Sequence, residues 1–153
     1  MKTLRLILGD QLNHNHSWFQ QTDENVIYLM AEMRQETDYV KHHIQKVVAF
    51  FLAMRNFSKE LINKGHKVIY YKISDANNPH NLEQLILDLV EEHKIEQFEY
   101  QFPDEYRLDE QLKQICKKLT ISTEVFDTEH FYTTRTELTE FFQGKKLLLM
   151  EKW

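Results

Sequence analysis

Gly9, Asp10 and Gln11 stand together directly after an apolar run, Leu4-Arg5-Leu6-Ile7-Leu8. A glycine lets backbone turn sharply or lie close to a ligand, and a carboxylate beside an amide offers hydrogen bonds at the same point. A plain strand-to-loop turn would use that glycine equally well, so both uses stay open. Tyr39, His43 and Lys46 form a second group. At i, i+4 and i+7 of a helix they fall on one side, and a ring, an imidazole and an ammonium there suit a flat polar heterocycle or an anion. An ordinary amphipathic helix start, with Tyr39 at the core edge and Lys46 in solvent, explains the same spacing.

Other chemistries are poorly supplied. No Gly-x-Gly-x-x-Gly follows the first apolar run and no Walker loop occurs, so dinucleotide or triphosphate binding by those routes is not expected. His14 and His16 lie two apart in a loop. His42 and His43 are neighbours on the expected long helix, where adjacent side chains diverge by roughly 100°. No acidic pair completes a site, so no metal is expected; His43 reads as a partly buried histidine and His42 as solvent-facing. A phosphorelay receiver would need a second acid beside Asp10 and a lysine after Phe126-Asp127, and neither is present.

These residues need a frame, and hydrophobic periodicity supplies one. Strands are expected at 3–8, 26–30, 67–73, 95–102 and 122–126, and helices at 38–64, 82–93, 106–119 and 134–142. The long helix buries Val40, Ile44, Val47, Val48, Phe51, Met54, Leu61 and Ile62 and stops at Gly65. At roughly 1.5 Å per residue it spans about 40 Å, more than a strand needs, so its N-terminal part should overhang the sheet or bend. Alternation of strands and helices with short links implies a five-stranded parallel, doubly wound (Rossmann-like) sheet with helices on both faces. In such sheets ligands sit beyond the carboxyl ends of the strands, where strand order reverses. Gly9–Leu12 lies at that kind of edge.

The chain has 153 residues, 42% of them hydrophobic, enough for one domain with a proper core. A formal charge of -5 argues against gripping nucleic acid through the domain's own field. A lone cysteine, Cys116, excludes an internal disulfide framework. No apolar run reaches membrane-spanning length, and Met1-Lys2-Thr3 leads straight into a strand, so a cytoplasmic location and no membrane partner are expected.

Taken together, Leu4–Leu12, the run from Tyr39 to Lys46, Ala53-Met54-Arg55, Phe131-Tyr132 and Met150-Glu151-Lys152-Trp153 resemble one family: the N-terminal domain of the photolyase-related proteins of prokaryotes, the iron–sulfur-containing bacterial photolyases and cryptochromes. The resemblance runs over essentially the whole chain. It implies an N-terminal α/β domain that holds an antenna chromophore, typically a ribityl-lumazine. It also implies a larger helical C-terminal domain that holds FAD, an iron–sulfur cluster and damaged DNA. On that basis residues 1–144 are the antenna domain and 145–153 begin a linker to an absent helical domain. Carried over by position, Gly9, Asp10, Gln11 and Leu12 form one wall of the antenna site, and Glu36, Tyr39, His43 and Lys46 the other. Energy transfer needs position and orientation, so no catalytic residue is expected in this chain.

Two further readings compete. One is a free-standing Rossmann-like module for a small ligand or nucleotide. The other is a degenerate domain kept for protein contacts alone.

Overall fold

The computed structural model describes residues 1–38, 41–134, 136–145 and 147, with the side chains of residues 35 and 36 outside the description. Five strands form one parallel sheet: β1 (Thr3–Leu6), β2 (Val26–Ala31), β3 (Lys67–Tyr71), β4 (Gln97–Gln101) and β5 (Ser122–Phe126). Their order across the sheet is β3-β2-β1-β4-β5. Among the described residues five helices accompany them: α1 (Gln35–Asp38), α2 (Ile44–Asn63), α3 (Leu82–His93), α4 (Tyr106–Lys118) and α5 (Glu137–Phe142), with a short 3-10 turn at Ser17–Phe19. The chain thus has the α/β, doubly wound architecture that the alternating elements imply.

The period-2 pattern of the strands sorts their side chains into two cores. Leu4 and Leu6 of β1 join Leu29, Phe98 and Tyr100 against Leu85, Ile86 and Leu89 of α3 and Leu112 and Ile115 of α4. Ile7, Tyr28 and Met30 point the other way, toward Phe51, Met54, Phe57 and Leu61 of α2 and the Trp18-Phe19 turn. Arg5, the charged residue inside the first apolar run, is matched across the sheet. Its Nε donates to Glu99 of β4 at 2.6 Å, and its guanidinium lies 4.9 Å from the Trp18 ring centre.

The expected 27-residue helix is broken. Helix α2 starts at Ile44, and His43 is its N-cap: the ring Nδ1 accepts the Gln45 backbone N–H at 3.2 Å. An extended His43 cannot also be a helical position, so the i, i+4, i+7 relation of Tyr39, His43 and Lys46 does not exist. Val40 and Tyr39 lie outside the described residues. The inward face of α2 is also rotated from the one expected: Ile44, Val48 and Ile62 are exposed, while Phe57 and Ser58 are buried. Helix α3 and strand β5 keep their expected bounds.

Strand order reverses at β1. The chain moves outward from β1 through β2 to β3, then returns across the sheet to β4 and β5. The loops after β1 and β4 therefore diverge and leave a crevice at their carboxyl ends.

Candidate functional site

A cavity of about 350 Å³ opens at that crevice. This lies within the roughly 300–1,000 Å³ of small-molecule sites. Its backbone wall is the end of β1 and the turn that follows, Leu6 to Asp10. Leu82 opens α3 and Leu108 lies in the first turn of α4, and both close the apolar floor with Ala31 and Met33. The long wall is α2, which presents Lys46, Val47, Phe50, Phe51 and Met54. Positions 46, 50 and 54 follow one another at i, i+4 and i+8, so one helix face carries an ammonium, a ring and a thioether in a row. The polar rim consists of Asp10, Glu105, Thr37, His42 and Lys46.

Gly9 is explained by this wall. A Cβ built on it would collide with the Phe50 ring and stand 3.0 Å from Met54 Sδ. Its φ is not positive, so the requirement is close approach of α2 and not an unusual turn. The glycine lets the Phe50 ring press close against backbone and form one side of the cavity.

The remaining expected residues separate. Asp10 lines the cavity at the tip of its turn, and its carboxylate has no hydrogen bond to another described residue. Burial, and then the charges of Asp104 and Glu105, outweigh its own backbone N–H and His130 and push that carboxyl up. Gln11 is 1% exposed and outside the lining. Its Oε1 accepts Leu8 N–H at 3.1 Å, and its Nε2 donates to the carbonyls of Gln101 and Phe102 at 3.2 and 3.3 Å. This amide clips the β1 loop to the end of β4. Leu12 packs on the Trp18–Phe57 core. His43 caps α2, while its neighbour His42 reaches the cavity, with Lys46 Nζ 3.5 Å from its Nδ1. The side chain of Glu36 and all of Tyr39 lie outside the description.

Phe50, Met54, Thr37, His42 and Glu105 are cavity residues that sequence reasoning did not select. A signal existed for two of them: Lys46-Phe50-Met54 is a helical row, but it runs toward the C-terminus of α2, away from Tyr39. Nothing local marked Glu105, which the fold brings to β1 through β4.

A second polar group sits beside the cavity. Glu32, which follows β2 and is 0% exposed, takes a two-pronged bond from Arg55 of α2, at 2.6 Å from Nε and 2.9 Å from a terminal nitrogen. Tyr70 O–H donates to it at 2.7 Å and Ile73 N–H at 2.8 Å. Burial alone would raise this carboxyl, but the Arg55, Ile73 and Tyr70 bonds outweigh it and hold it below the usual range. Asn78 Nδ2 ties the Glu32 carbonyl to that of Lys72 at 2.9 and 3.0 Å. The group fastens the β3–α3 loop.

Among the described residues no group of three or more His, Cys, Asp or Glu side chains gathers as for a metal, and no helix is long and apolar enough to cross a membrane.

The family model of the deoxyribodipyrimidine photo-lyase-related proteins matches residues 5–153. The chain belongs to the photolyase-related family. A photolyase-related relative, the (6-4) photolyase of Agrobacterium fabrum (strain C58 / ATCC 33970), is 28% identical over 152 residues. That match covers 99% of this chain and 30% of the relative, so the chain spans about 30% of that relative's length. The photolyase-related match begins at Arg5 and so takes in the β1 turn, the α2 wall and the α4 start that build the cavity.

Proposed function

We propose that this chain is the antenna-chromophore domain of a light-dependent photolyase- or cryptochrome-like flavoprotein, and that its cavity holds a ribityl-lumazine-type chromophore. The observation that carries this reading is the cavity at the β1–β4 switch point, with apolar walls and hydrogen-bonding groups confined to the rim. A fused heterocycle fits between such walls. Phe50, Phe51 and Met54 offer ring and thioether surface to its face. Lys46, His42 and Thr37 can donate to its carbonyl and ring-nitrogen acceptors, and Asp10 and Glu105 can accept from ribityl hydroxyls. Gly9 contributes by letting Phe50 close on the backbone. Glu36 and Tyr39 enter the proposal through the family resemblance.

When bound, the chromophore absorbs light and passes the excitation on. The protein's part is to fix its position and orientation and to keep water from its face. In this reading FAD, an iron–sulfur cluster and damaged DNA are handled by residues outside these 153. The single cysteine, Cys116, cannot supply a four-cysteine cluster, and it lies beside Tyr100 and Thr123 in a different groove from the cavity.

The test is a fluorescence titration of the purified chain with 6,7-dimethyl-8-ribityllumazine, with FAD as comparison. Saturable lumazine binding that weakens about tenfold in Phe50→Ala, about 1.4 kcal/mol, is the expected result. Absence of saturable binding, or affinity unaltered in both Phe50→Ala and Asp10→Ala, overturns it.

A further inference from the structure

We propose that Gln11 is a positioning residue for the chromophore: its buried side-chain amide takes the place of one rung of the β1–β4 ladder and sets the distance between the two backbone segments that flank the cavity. The inference rests on the chromophore reading above and adds what keeps the bound ring in one orientation.

The ladder between β1 and β4 ends at the pair Leu6–Tyr100. Ile7 donates its N–H the other way, to the Leu29 carbonyl of β2 at 3.0 Å. Continued by one rung, the parallel ladder would run its next bond toward β4 from Leu8 N–H to the Gln101 carbonyl. Both of those groups are bonded to Gln11 instead. Its Oε1 accepts Leu8 N–H at 3.1 Å, and its Nε2 donates to the Gln101 carbonyl at 3.2 Å and the Phe102 carbonyl at 3.3 Å. A side-chain amide carries a carbonyl acceptor and N–H donors, as a peptide unit does, so it fits between two backbones as a further strand would. Backbone pairing has no way to resume beyond it, because Pro103 has no N–H.

The inserted amide has a geometric consequence. Paired strands lie about 4.8 Å apart, and an amide between them holds the two segments further apart by one hydrogen-bonded layer. One segment is Leu8-Gly9-Asp10, part of the backbone wall of the cavity. The other leads through Pro103 to Glu105 and Leu108, which line the cavity from the α4 side. Gln11 is 1% exposed and stands behind the wall, outside the lining, so it acts on a ligand through Leu8, Gly9 and Asp10. A buried polar group with its partners in place stiffens the backbone it joins.

The experiment titrates the unmodified chain and Gln11→Glu with 6,7-dimethyl-8-ribityllumazine across pH, reading affinity and the fluorescence anisotropy of the fully bound ligand. A protonated carboxyl copies the amide, since one oxygen accepts and the O–H donates; an ionised one only accepts and would face two carbonyls. Gln11→Glu is expected to match the unmodified chain in acid. Once its carboxyl ionises it should bind at least about tenfold more weakly, with lower bound anisotropy. Asp10, Glu105 and His42 are common to both chains, so the ratio of the two at each pH isolates position 11. Gln11→Met, of similar length and without the hydrogen bonds, should behave as the ionised form at every pH. Melting curves check that each variant is folded, and either variant decides if the other does not fold. Leu89→Ala, a core change in α3, supplies the effect of destabilisation alone: a lower melting temperature with bound anisotropy unaltered. A Gln11 variant that repeats that pattern overturns the inference, because Gln11 then only stabilises the fold. Wild-type affinity and anisotropy in Gln11→Met, or a Gln11→Glu ratio indifferent to pH, overturn it too, and in each case the chromophore reading stands. Failure of the unmodified chain to bind the lumazine overturns that reading and this inference with it.

Discussion

Two carboxylates lie just beyond the ends of neighbouring strands, and they are treated in opposite ways. Glu32, after β2, is fully buried and accepts from Arg55, Tyr70 and Ile73. Asp10, after β1, has no hydrogen bond to another described side chain and stands at the mouth of a cavity. The first is held below the usual carboxylate range and the second is pushed above it. A buried acid with all its partners supports structure; an acid with no side-chain hydrogen bond has its acceptor capacity in reserve. Helix α2 serves both ends, giving Arg55 to Glu32 and Lys46, Phe50 and Met54 to the cavity.

The largest effect is expected where the partnered acid is removed. Glu32→Gln sets an amide NH2 against donors from Arg55, Tyr70 and Ile73 at a fully buried position and should cost about 3–5 kcal/mol, read from urea denaturation. Because the Glu32 carboxyl is lowered in the folded state, its contribution is present above the ordinary carboxylate range and is lost as pH falls through the lowered value. The wild-type and variant curves should therefore converge in acid; a gap independent of pH would show that packing, not charge, carries the effect.

An intermediate effect is expected at the wall that separates the two acids. Gly9→Ala drives a methyl into the Phe50 ring, and overpacking of this kind costs about 1–3 kcal/mol. The displaced ring should also narrow the cavity. Adding Phe50→Leu should recover part of the lost stability, so the double-mutant cycle is non-additive. Strict additivity would mean that the close approach is not what Gly9 is for.

The smallest effect, and one of opposite sign, belongs to the unpartnered acid. Folding raises the Asp10 carboxyl, so the folded state binds that proton more readily than the unfolded chain, and stability falls as pH rises through the carboxylate range. Asp10→Asn should raise the melting temperature slightly at pH 7 and leave it unchanged in strong acid. A loss of stability at pH 7 would mean that Asp10 has a structural partner after all and would erase the contrast with Glu32.

Much of the frame was legible because it rests on long periodic signals. Five apolar strands, four helices and short links leave little choice but a parallel doubly wound sheet, and α3 kept its bounds because Asn81 caps it in the usual manner. The start of α2 was not legible. Histidine is not among the usual N-caps, and apolar residues at helical spacing run on both sides of it, so the pattern reads straight through a break made by one imidazole nitrogen. That single boundary grouped Tyr39, His43 and Lys46 as one helical row, whereas the helical row along the cavity is Lys46, Phe50 and Met54. Gln11 was ambiguous for a different reason. An amide after a strand looks the same in sequence whether it meets a ligand or ties two loops, and only the return of β4 beside β1 decides between them.

Strand β1, whose end forms the backbone wall of the cavity, is the middle strand of the five, paired on one side with β2 and on the other with β4. Amide hydrogens inside such a strand exchange with solvent only when its neighbours have already come apart. Leu4, Leu6 and Ile7 should then be among the last to take up deuterium, while the start of α2, with Ile44 and Val48 in solvent, exchanges early. One side of the cavity is therefore expected to hold its shape until the sheet opens, and on the proposed reading entry and exit of a chromophore fall to the helical side.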